Sequence, residues 1–372
     1  MKDKAKPRRA AEAVPSDYRP VSLKELAAHL GLNPATVSVV LNDVPGRSIP
    51  QSTRDRIKAA AREMNYQPSL LARSLRNRRT NTIGILVPEL GDGYHTQVMS
   101  GIGDQLIQEG YFYFTAHHRH QQKLIEEYTR MFIGRGAQGI IAVDTALEHP
   151  TPVPMVAVAG HRAIAGVTNV QLDHAAAAEM TIQHLVSLGH KQIAVMRGQS
   201  FSSDSDSRWR ELEGAAKRAG LKIRPELVVT LARDMSSPEL GYPVVQQMVA
   251  TGIPFTALVA FNDISAIGAV RALQDLNLRV PENVSVIGFD DIPAAAYTLP
   301  RLTTIRQPLA ELGRVATKRL LERIQDLNTT TDDILVEPEL VVRESTGPVQ
   351  QAAGGRGKGS GVGSLVSSDA DR

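Results

Sequence analysis

The feature that most constrains this sequence is a change of pattern at Thr82, where short apolar runs begin to alternate with amphipathic segments. Most of the runs are separated by about 10 to 16 residues of helical periodicity. Such alternation is typical of parallel strands joined by helical crossovers. It predicts a doubly wound α/β body, long enough for two sheets. The predicted strands are 82–87, 111–116, 139–143, 155–158, 169–172, 192–196, 227–230, 255–260 and 284–289.

Residues 21–79, which precede this body, have a helical pattern. Ser22 and Glu25 have the spacing of a capping box, and Gly31 can end the helix that follows them. Asn33 and Pro34 then start a second helix at once, as N-cap and first-turn residues. A third helix is predicted to open between Ser48 and Gln51 and to run to Met64. Two short helices joined by a glycine-containing turn predict a helix-turn-helix.

Charge is distributed unevenly between these two regions. Residues 1–80 have 16 Lys and Arg against 7 Asp and Glu, a net charge of +9, and the remaining residues carry a net −6. A basic head on a mildly acidic body indicates that the head meets a polyanion. Residues 1–20 are predicted to be a disordered arm, and the glycine-rich residues 347–372 a disordered tail.

Composition excludes several classes of protein. Cysteine is absent, so disulfides, Cys-ligated zinc and thiol nucleophiles are excluded. No apolar run approaches the ~18 residues of a membrane span, and the N-terminus lacks the apolar core of a secretion signal. We therefore expect a cytoplasmic protein that has no membrane partner, metal or cofactor.

Motifs for catalysis are weak or misplaced. Residues 134–139 fit GxGxxG, but a predicted helix precedes them and a strand follows, the reverse of a dinucleotide site. Neither a GxSxG elbow nor an HExxH site is present. The histidines at 117, 118 and 120 are close enough together to ligate a metal, but a solvated loop is favoured because no carboxylate lies nearby. We expect no catalytic residues and no enzyme.

Several blocks of sequence resemble the lactose-repressor (LacI/GalR) family of bacterial transcription regulators. They are VSLKELAAHLGLNPATVSVVLN (21–42), STRDRIKAAAREMNYQPSLLARSLR (52–76), TNTIGILVP (80–88), HLVSLGHKQIAVM (184–196), ALVAFNDISAIGAVRAL (257–273), NVSVIGFDDIP (283–293) and LPRLTTIRQP (299–308). The resemblance implies an N-terminal helix-turn-helix DNA-binding domain followed by a two-lobed, periplasmic-binding-protein-like (type I) effector-binding domain.

The resemblance also implies domain boundaries. The helix-turn-helix would occupy residues 21–66, a hinge helix or linker 67–80, and the two-lobed domain 81–346. The N-lobe would comprise about 81–174 and 307–335, and the C-lobe about 175–306 and 336–346.

By the same resemblance, one set of residues would contact DNA. Ser22, Thr36, Ser38 and Asn42 match positions that grip phosphates, and Pro34, Ala35 and Val39 would face the bases. Relatives often have Arg where this chain has Val39, so operator specificity cannot be copied from them. In the hinge helix, Leu75 matches a residue that wedges into the minor groove, flanked by Ala72, Arg73 and Arg76.

A second set would bind the effector, at the carboxyl ends of the strands. Asp290 would accept hydrogen bonds from effector hydroxyls, and Arg208 would reach the effector from the second lobe. The remaining expected contacts are Tyr94, Asp173, Trp209, Phe261 and Asn262. Asp263 and Asp291 are as readily explained as caps or turn formers. The glycine usual three residues after the arginine is Glu211 here, which weakens the match.

The predicted function is a sequence-specific transcription regulator, most simply a repressor. It would bind a pseudo-palindromic operator at the nucleoid as a homodimer and be controlled by a sugar-like or purine-like ligand. A tetramer has no support, because the tail lacks heptad leucines. Two alternatives remain. A transport or chemotaxis binding protein would need a secretion signal and no helix-turn-helix, and a sugar kinase or dehydrogenase would need a correctly placed phosphate loop.

Overall fold

The computed structural model describes residues 19, 21–43, 47–67, 79–91, 93–160, 162–202, 204–231 and 238–350. The chain divides into two units, Met1–Thr80 and Asn81–Arg372. The hinge residues Ala72, Arg73, Leu75 and Arg76 lie outside the described residues, as do most of the arm and tail predicted for 1–20 and 347–372.

The first unit contains three helices, α1 (Leu23–Leu30), α2 (Pro34–Leu41) and α3 (Gln51–Glu63). The capping box predicted at α1 is present: the Glu25 amide donates to the Ser22 hydroxyl, and the Ser22 amide donates to the Glu25 carboxylate. Gly31 ends α1 in the left-handed conformation (φ 62°). Asn33 caps α2 through the Ala35 amide. These local signals were strong enough to place the start and end of both helices from sequence.

A small apolar core holds the three helices together. It consists of buried residues from every helix, namely Leu26, Ala27, Val37, Val40, Ile57, Ala60 and Ala61. Arg56 adds a polar link, because its Nη2 donates to the Leu30 carbonyl at 2.7 Å and so ties α3 to the end of α1.

The second unit contains two six-stranded sheets. The N-lobe sheet has the order β11-β5-β4-β3-β1-β2 and the C-lobe sheet the order β12-β10-β9-β8-β6-β7. Neighbouring strands are parallel throughout, except that β12 runs antiparallel to β10.

The N-lobe strands are β1 (Thr82–Val87), β2 (Phe112–His117), β3 (Gly139–Val143), β4 (Met155–Val158), β5 (Thr168–Leu172) and β11 (Ile334–Val336). The C-lobe strands are β6 (Ile193–Arg197), β7 (Val228–Thr230), β8 (Ala257–Val259), β9 (Ser285–Asp290), β10 (Thr303–Arg306) and β12 (Glu339–Val341). All nine predicted strands are present. Most are shifted by one residue at most, because apolar runs specify burial more sharply than strand ends.

Helices cover both sheets. They are α4 (Gly93–Gln108), α5 (Gln122–Gly134), α6 (His174–Ser187), α7 (Ser205–Arg218), α8 (Gly241–Ala250), α9 (Asp263–Asp275) and α10 (Leu309–Gln325). The chain crosses between the lobes three times, after β5, after β10 and after β11, because α10 packs on α4 and on the N-lobe sheet. In the described part of the chain, no helix combines the length and apolarity needed to cross a bilayer.

Candidate DNA-binding face and ligand cleft

Helix α2 presents two different faces. Val37 and Val40 are fully buried in the three-helix core, whereas Pro34 and Ala35 are exposed. Thr36, Ser38 and Val39 are partly exposed on the same helix. Since side chains near the start of a recognition helix read base edges, the exposed turn at Pro34 is where sequence reasoning placed base contacts.

Two of the residues expected to grip phosphate contact each other. The Asn42 side-chain amide donates to the Ser38 carbonyl at 2.7 Å and lies 3.3 Å from the Ser38 hydroxyl. This contact fixes the end of α2. Ser22 caps α1, and its side chain is exposed. The roles of all these residues toward DNA stay predictions.

In the second unit, the carboxyl ends of the central strands gather the functional side chains. Tyr94 and His95 follow β1, and Asp144 follows β3, on the N-lobe side. Phe261 follows β8 and Asp290 ends β9 on the C-lobe side. Because these strands are neighbours in parallel sheets, their following loops meet at one edge of each sheet, where open α/β folds bind ligands.

Arg208, on the first half of α7, is the centre of this cleft. Its guanidinium carbon lies 4.0 Å from the centroid of the Phe289 ring and 4.7 Å from that of Phe261. Its Nη1 donates to the Phe261 carbonyl at 2.9 Å, and its Nη2 to Asp204 at 2.8 Å. Burial lowers the pKa of Arg208, but Asp204 and Asp290 outweigh that effect and raise it above its ordinary value. The cation is therefore held rigidly between two rings and two carboxylates.

Asp290 sits opposite that cation. It is only 5% exposed, and its Oδ1 lies 3.9 Å from the Arg208 Nη2. The same oxygen accepts a 2.6 Å hydrogen bond from the Gln307 side chain. The backbone of Asp290 has φ 110°, a region that side chains rarely adopt, so the turn after β9 stores strain at the cleft.

The neighbouring aspartates support this turn. Asp291 pairs with Arg306 at 2.7 Å and with Arg343 at 2.6 Å. Asp263 is fully buried and accepts hydrogen bonds from the Ile292 amide and the Thr304 hydroxyl, so it fastens the chain just beyond Asp290.

Two predicted contacts have capping roles in this structure. The Asp173 carboxylate accepts from the Ala176 amide and caps α6, while the Asn262 side chain accepts from Ser265 and caps α9. Trp209 is half-buried beside the Arg197 guanidinium, 5.5 Å from its ring centroid. Their contacts with an effector stay predictions.

Sequence reasoning missed two histidine–aspartate pairs. His95 Nε2 lies 3.6 Å from Asp144 in the N-lobe, and His174 Nε2 lies 3.4 Å from Asp204 in the C-lobe. Burial raises the pKa of Asp204, but His174 and Arg208 outweigh it and hold that pKa well below its usual range. Asp204 lies in a Ser/Asp-rich segment interpreted as a cleft rim, so no pattern singled it out. His174 could have been found from its place beside Asp173 at the end of a strand.

The lobes are in contact across the cleft. The pKa of Tyr94 is raised well above its ordinary value by burial and by Asp204 of the other lobe, with Asp144 adding to the effect. The His120 and Phe201 rings, also from opposite lobes, lie 4.7 Å apart between centroids. His118 is buried and bonded to the Thr145 hydroxyl at 2.9 Å, so it serves as an internal support of the loop at 117–120.

Family models match both parts of the chain. The model described as "Bacterial regulatory proteins, lacI family" matches residues 22–69. A model described as "Periplasmic binding protein-like domain" matches residues 182–346. The fold and the cleft therefore define a class of protein: DNA-binding regulators that join a helix-turn-helix to a periplasmic-binding-protein-like domain.

Curated relatives identify the family. The HTH-type transcriptional repressor PurR of Aliivibrio fischeri (strain MJ11) is 31% identical over 332 residues, covering 87% of this chain and 98% of the relative. PurR of Haemophilus influenzae (strain ATCC 51907 / DSM 11121 / KW20 / Rd) is 31% identical over 337 residues, with the same coverage. The chain belongs to the lacI family of bacterial regulatory proteins, which confirms the resemblance and its assignment to regulators rather than enzymes.

Solved structures agree with this assignment. The crystal structure of the lac repressor dimer bound to operator and the anti-inducer ONPF has a TM-score of 0.79 at 26% identity, covering 88% of this chain and all of that one. The transcriptional regulator CelR–cellobiose complex has a TM-score of 0.65 at 26% identity and the same coverage. The predicted fold class is confirmed.

Proposed function

We propose that this protein is a transcriptional repressor that binds a pseudo-palindromic operator as a homodimer and responds to a small polar ligand in the cleft. The observation that carries the proposal is the pairing of Arg208 and Asp290 at the carboxyl ends of the C-lobe strands. A fixed cation and a buried carboxylate 3.9 Å apart offer donors and acceptors to a ligand rich in hydroxyls or ring nitrogens.

The ligand would couple to DNA through the position of the lobes. Side chains from both lobes line the cleft, so a ligand that contacts both favours one arrangement of the lobes over another. Operator affinity then shifts only by the ligand's differential affinity for the two arrangements. A sugar-like ligand is the first choice, supported by the cellobiose in the CelR complex. A purine-like ligand is the second.

The N-lobe offers a surface for dimerisation. Strand β2 lies at the edge of its sheet, and Phe112 and Phe114 are 57% and 37% exposed there. Their rings stack edge to face with centroids 5.1 Å apart. Exposed aromatics on an open strand edge favour burial against another chain. The dimer in the related lac repressor structure supports a second copy as that partner.

The test is a selection of random DNA by the full-length protein at physiological salt, followed by sequencing. We expect one inverted-repeat motif. Binding to the selected site is then measured with a panel of neutral sugars and nucleobases, and one compound is expected to change it. Only non-specific, steeply salt-dependent binding under all of these conditions would overturn the proposal.

A further inference from the structure

A small cavity lies within the C-lobe, beside the cleft. Its volume is about 40 Å³, several times what one water needs. Helices α6 and α7 and strands β6, β8 and β9 enclose it, and most of its wall is apolar. His174, Arg197, Arg208 and Trp209 also line it. We call this cavity the recess.

Three of the lining side chains each use one nitrogen in an ion pair. Arg208 Nη2 lies 2.8 Å from Asp204, and His174 Nε2 lies 3.4 Å from the other oxygen of the same carboxylate. Arg197 Nη2 lies 2.6 Å from Asp206. These pairs fix where the three side chains point.

Each of the same side chains has a second nitrogen that is buried and unpaired. Arg197 Nε, Arg208 Nε and His174 Nδ1 have no hydrogen-bond partner among the residues the structure describes. Buried polar groups are nearly always satisfied, so three such nitrogens around one cavity indicate a bound group. The arginine Nε–H groups only donate, and an imidazolium donates from both nitrogens. The bound group must therefore present acceptors.

The helix ends favour an acceptor that carries negative charge. His174 and Ser205 are the first residues of α6 and α7, each 14 residues long, and both line the recess. The positive ends of two helix dipoles thus meet at the cavity. Asp204 and Asp206 are the carboxylates nearby, and both are ion-paired with the side chains named above.

We propose that the recess binds a carboxylate group of the size of formate or acetate. The carboxylate oxygens would accept from Arg197 Nε, Arg208 Nε and His174 Nδ1, the nitrogens that the aspartates leave unused. The carboxylate belongs either to a free small anion or to an acidic ligand seated in the cleft; the second source depends on the proposed function, and the first does not.

The test measures formate binding without DNA, so it is independent of operator recognition. Full-length protein is dialysed to equilibrium against ¹⁴C-formate in a buffer whose only other anion is a bulky sulfonate. We expect saturation at one formate per chain. Trp209 lines the recess and is the only tryptophan of the chain, so its fluorescence should change with the same midpoint.

Matched variants locate the binding. Arg197→Lys keeps the charge but removes the Nε–H donor, and it should weaken formate binding at least tenfold. Arg218→Gln removes an exposed α7 arginine paired with Glu179, outside the recess, and should bind like wild type. Urea unfolding of each variant shows that it is folded.

Competition separates the two sources. If glucuronate displaces formate and neutral glucose does not, the carboxylate of an acidic sugar can fill the recess; if neither displaces it, the site takes the free ion. The proposal is overturned if formate fails to saturate at one per chain, or if Arg197→Lys and Arg218→Gln bind formate equally. Water alone would then occupy the recess.

Discussion

The two lobes of the second unit repeat one sheet topology but place their ionisable groups differently. In the C-lobe, Arg208 is buried between Asp204 and Asp290 and stacked on aromatic rings. In the N-lobe, the cleft carries the looser His95–Asp144 pair at 3.6 Å. A ligand's polar groups would therefore meet preset partners in the C-lobe and adjustable ones in the N-lobe.

The outer edges of the two sheets differ as well. The N-lobe sheet ends in β2, a six-residue strand that exposes Phe112 and Phe114. The matching edge of the C-lobe sheet is β7, which has three residues and buries Val229. Short edge strands resist pairing, whereas long apolar ones invite it. The same topology thus serves ligand binding in one lobe and, we infer, association in the other.

The largest expected effect tests the buried charge network. Arg208→Met would leave Asp204 and Asp290 buried without their cation, and breaking a buried pair costs about 3–5 kcal/mol. Asp144→Asn, the N-lobe counterpart, should cost less than about 1 kcal/mol, because its partner His95 can become neutral. Urea unfolding of both variants measures the difference. Equal losses of unfolding free energy would refute the contrast between the lobes.

Ligand response should depend on Asp290. Asp290→Asn keeps the shape but loses a charged acceptor, so affinity for the compound found in the operator screen should fall roughly 10- to 100-fold. Titration calorimetry with that compound checks this. Asp173→Asn is the control, because an asparagine still caps α6 and should leave affinity within about twofold. An unchanged affinity in Asp290→Asn would move the site elsewhere.

Dimerisation should depend on the N-lobe edge. Phe114→Glu places a charge on the exposed face of β2 and should raise the dimer dissociation constant about tenfold or more. Sedimentation measures this constant. Glu226→Gln, an exposed change just before β7, should leave it unaltered. If Phe114→Glu has no effect, β2 does not form the interface.

The smallest effects are pH dependences of opposite sign within the C-lobe. His174 and Arg208, against the effect of burial, lower the pKa of Asp204, so its stabilisation is present above about pH 4 and is lost as the pH falls. Burial, reinforced by Asp290, raises the pKa of Asp263, so stability should decline as the pH rises above about 4.

Asparagine variants separate these two contributions. Asp204→Asn should flatten the acid side of the stability profile, and Asp263→Asn the side above pH 4. Urea midpoints from pH 3 to 8 report both. A steeper loss of stability toward acid in Asp204→Asn would contradict the sign given for that carboxylate.

Local signals carried much of this structure. Ser22, Gly31 and Asn33 specify helix ends through hydrogen bonds to residues two or three positions away, so the sequence alone was sufficient. Apolar runs did the same for the central strands. The short strands β10, β11 and β12 were not predicted, because three or four residues with mixed polarity leave no periodic pattern.

The cleft was only partly foreseeable. Arg208 and Asp290 came from resemblance to a family, and both lie in the cleft. Asp204, Asp144 and the two histidines are brought there by separate elements far apart in the chain, and nothing local marks them. The recess was likewise unforeseen, because an unpaired nitrogen is a property of three-dimensional neighbours.

The sequence by itself determined the order of helices and strands, the basic head and the resemblance to lacI-family regulators. These follow from hydrogen bonding and burial over a few residues. Only the tertiary structure decided which carboxylate meets which cation, because ion pairs join residues across strand crossovers. Burial, which strengthens those pairs and sets the pKa of each member, exists only once both lobes are assembled.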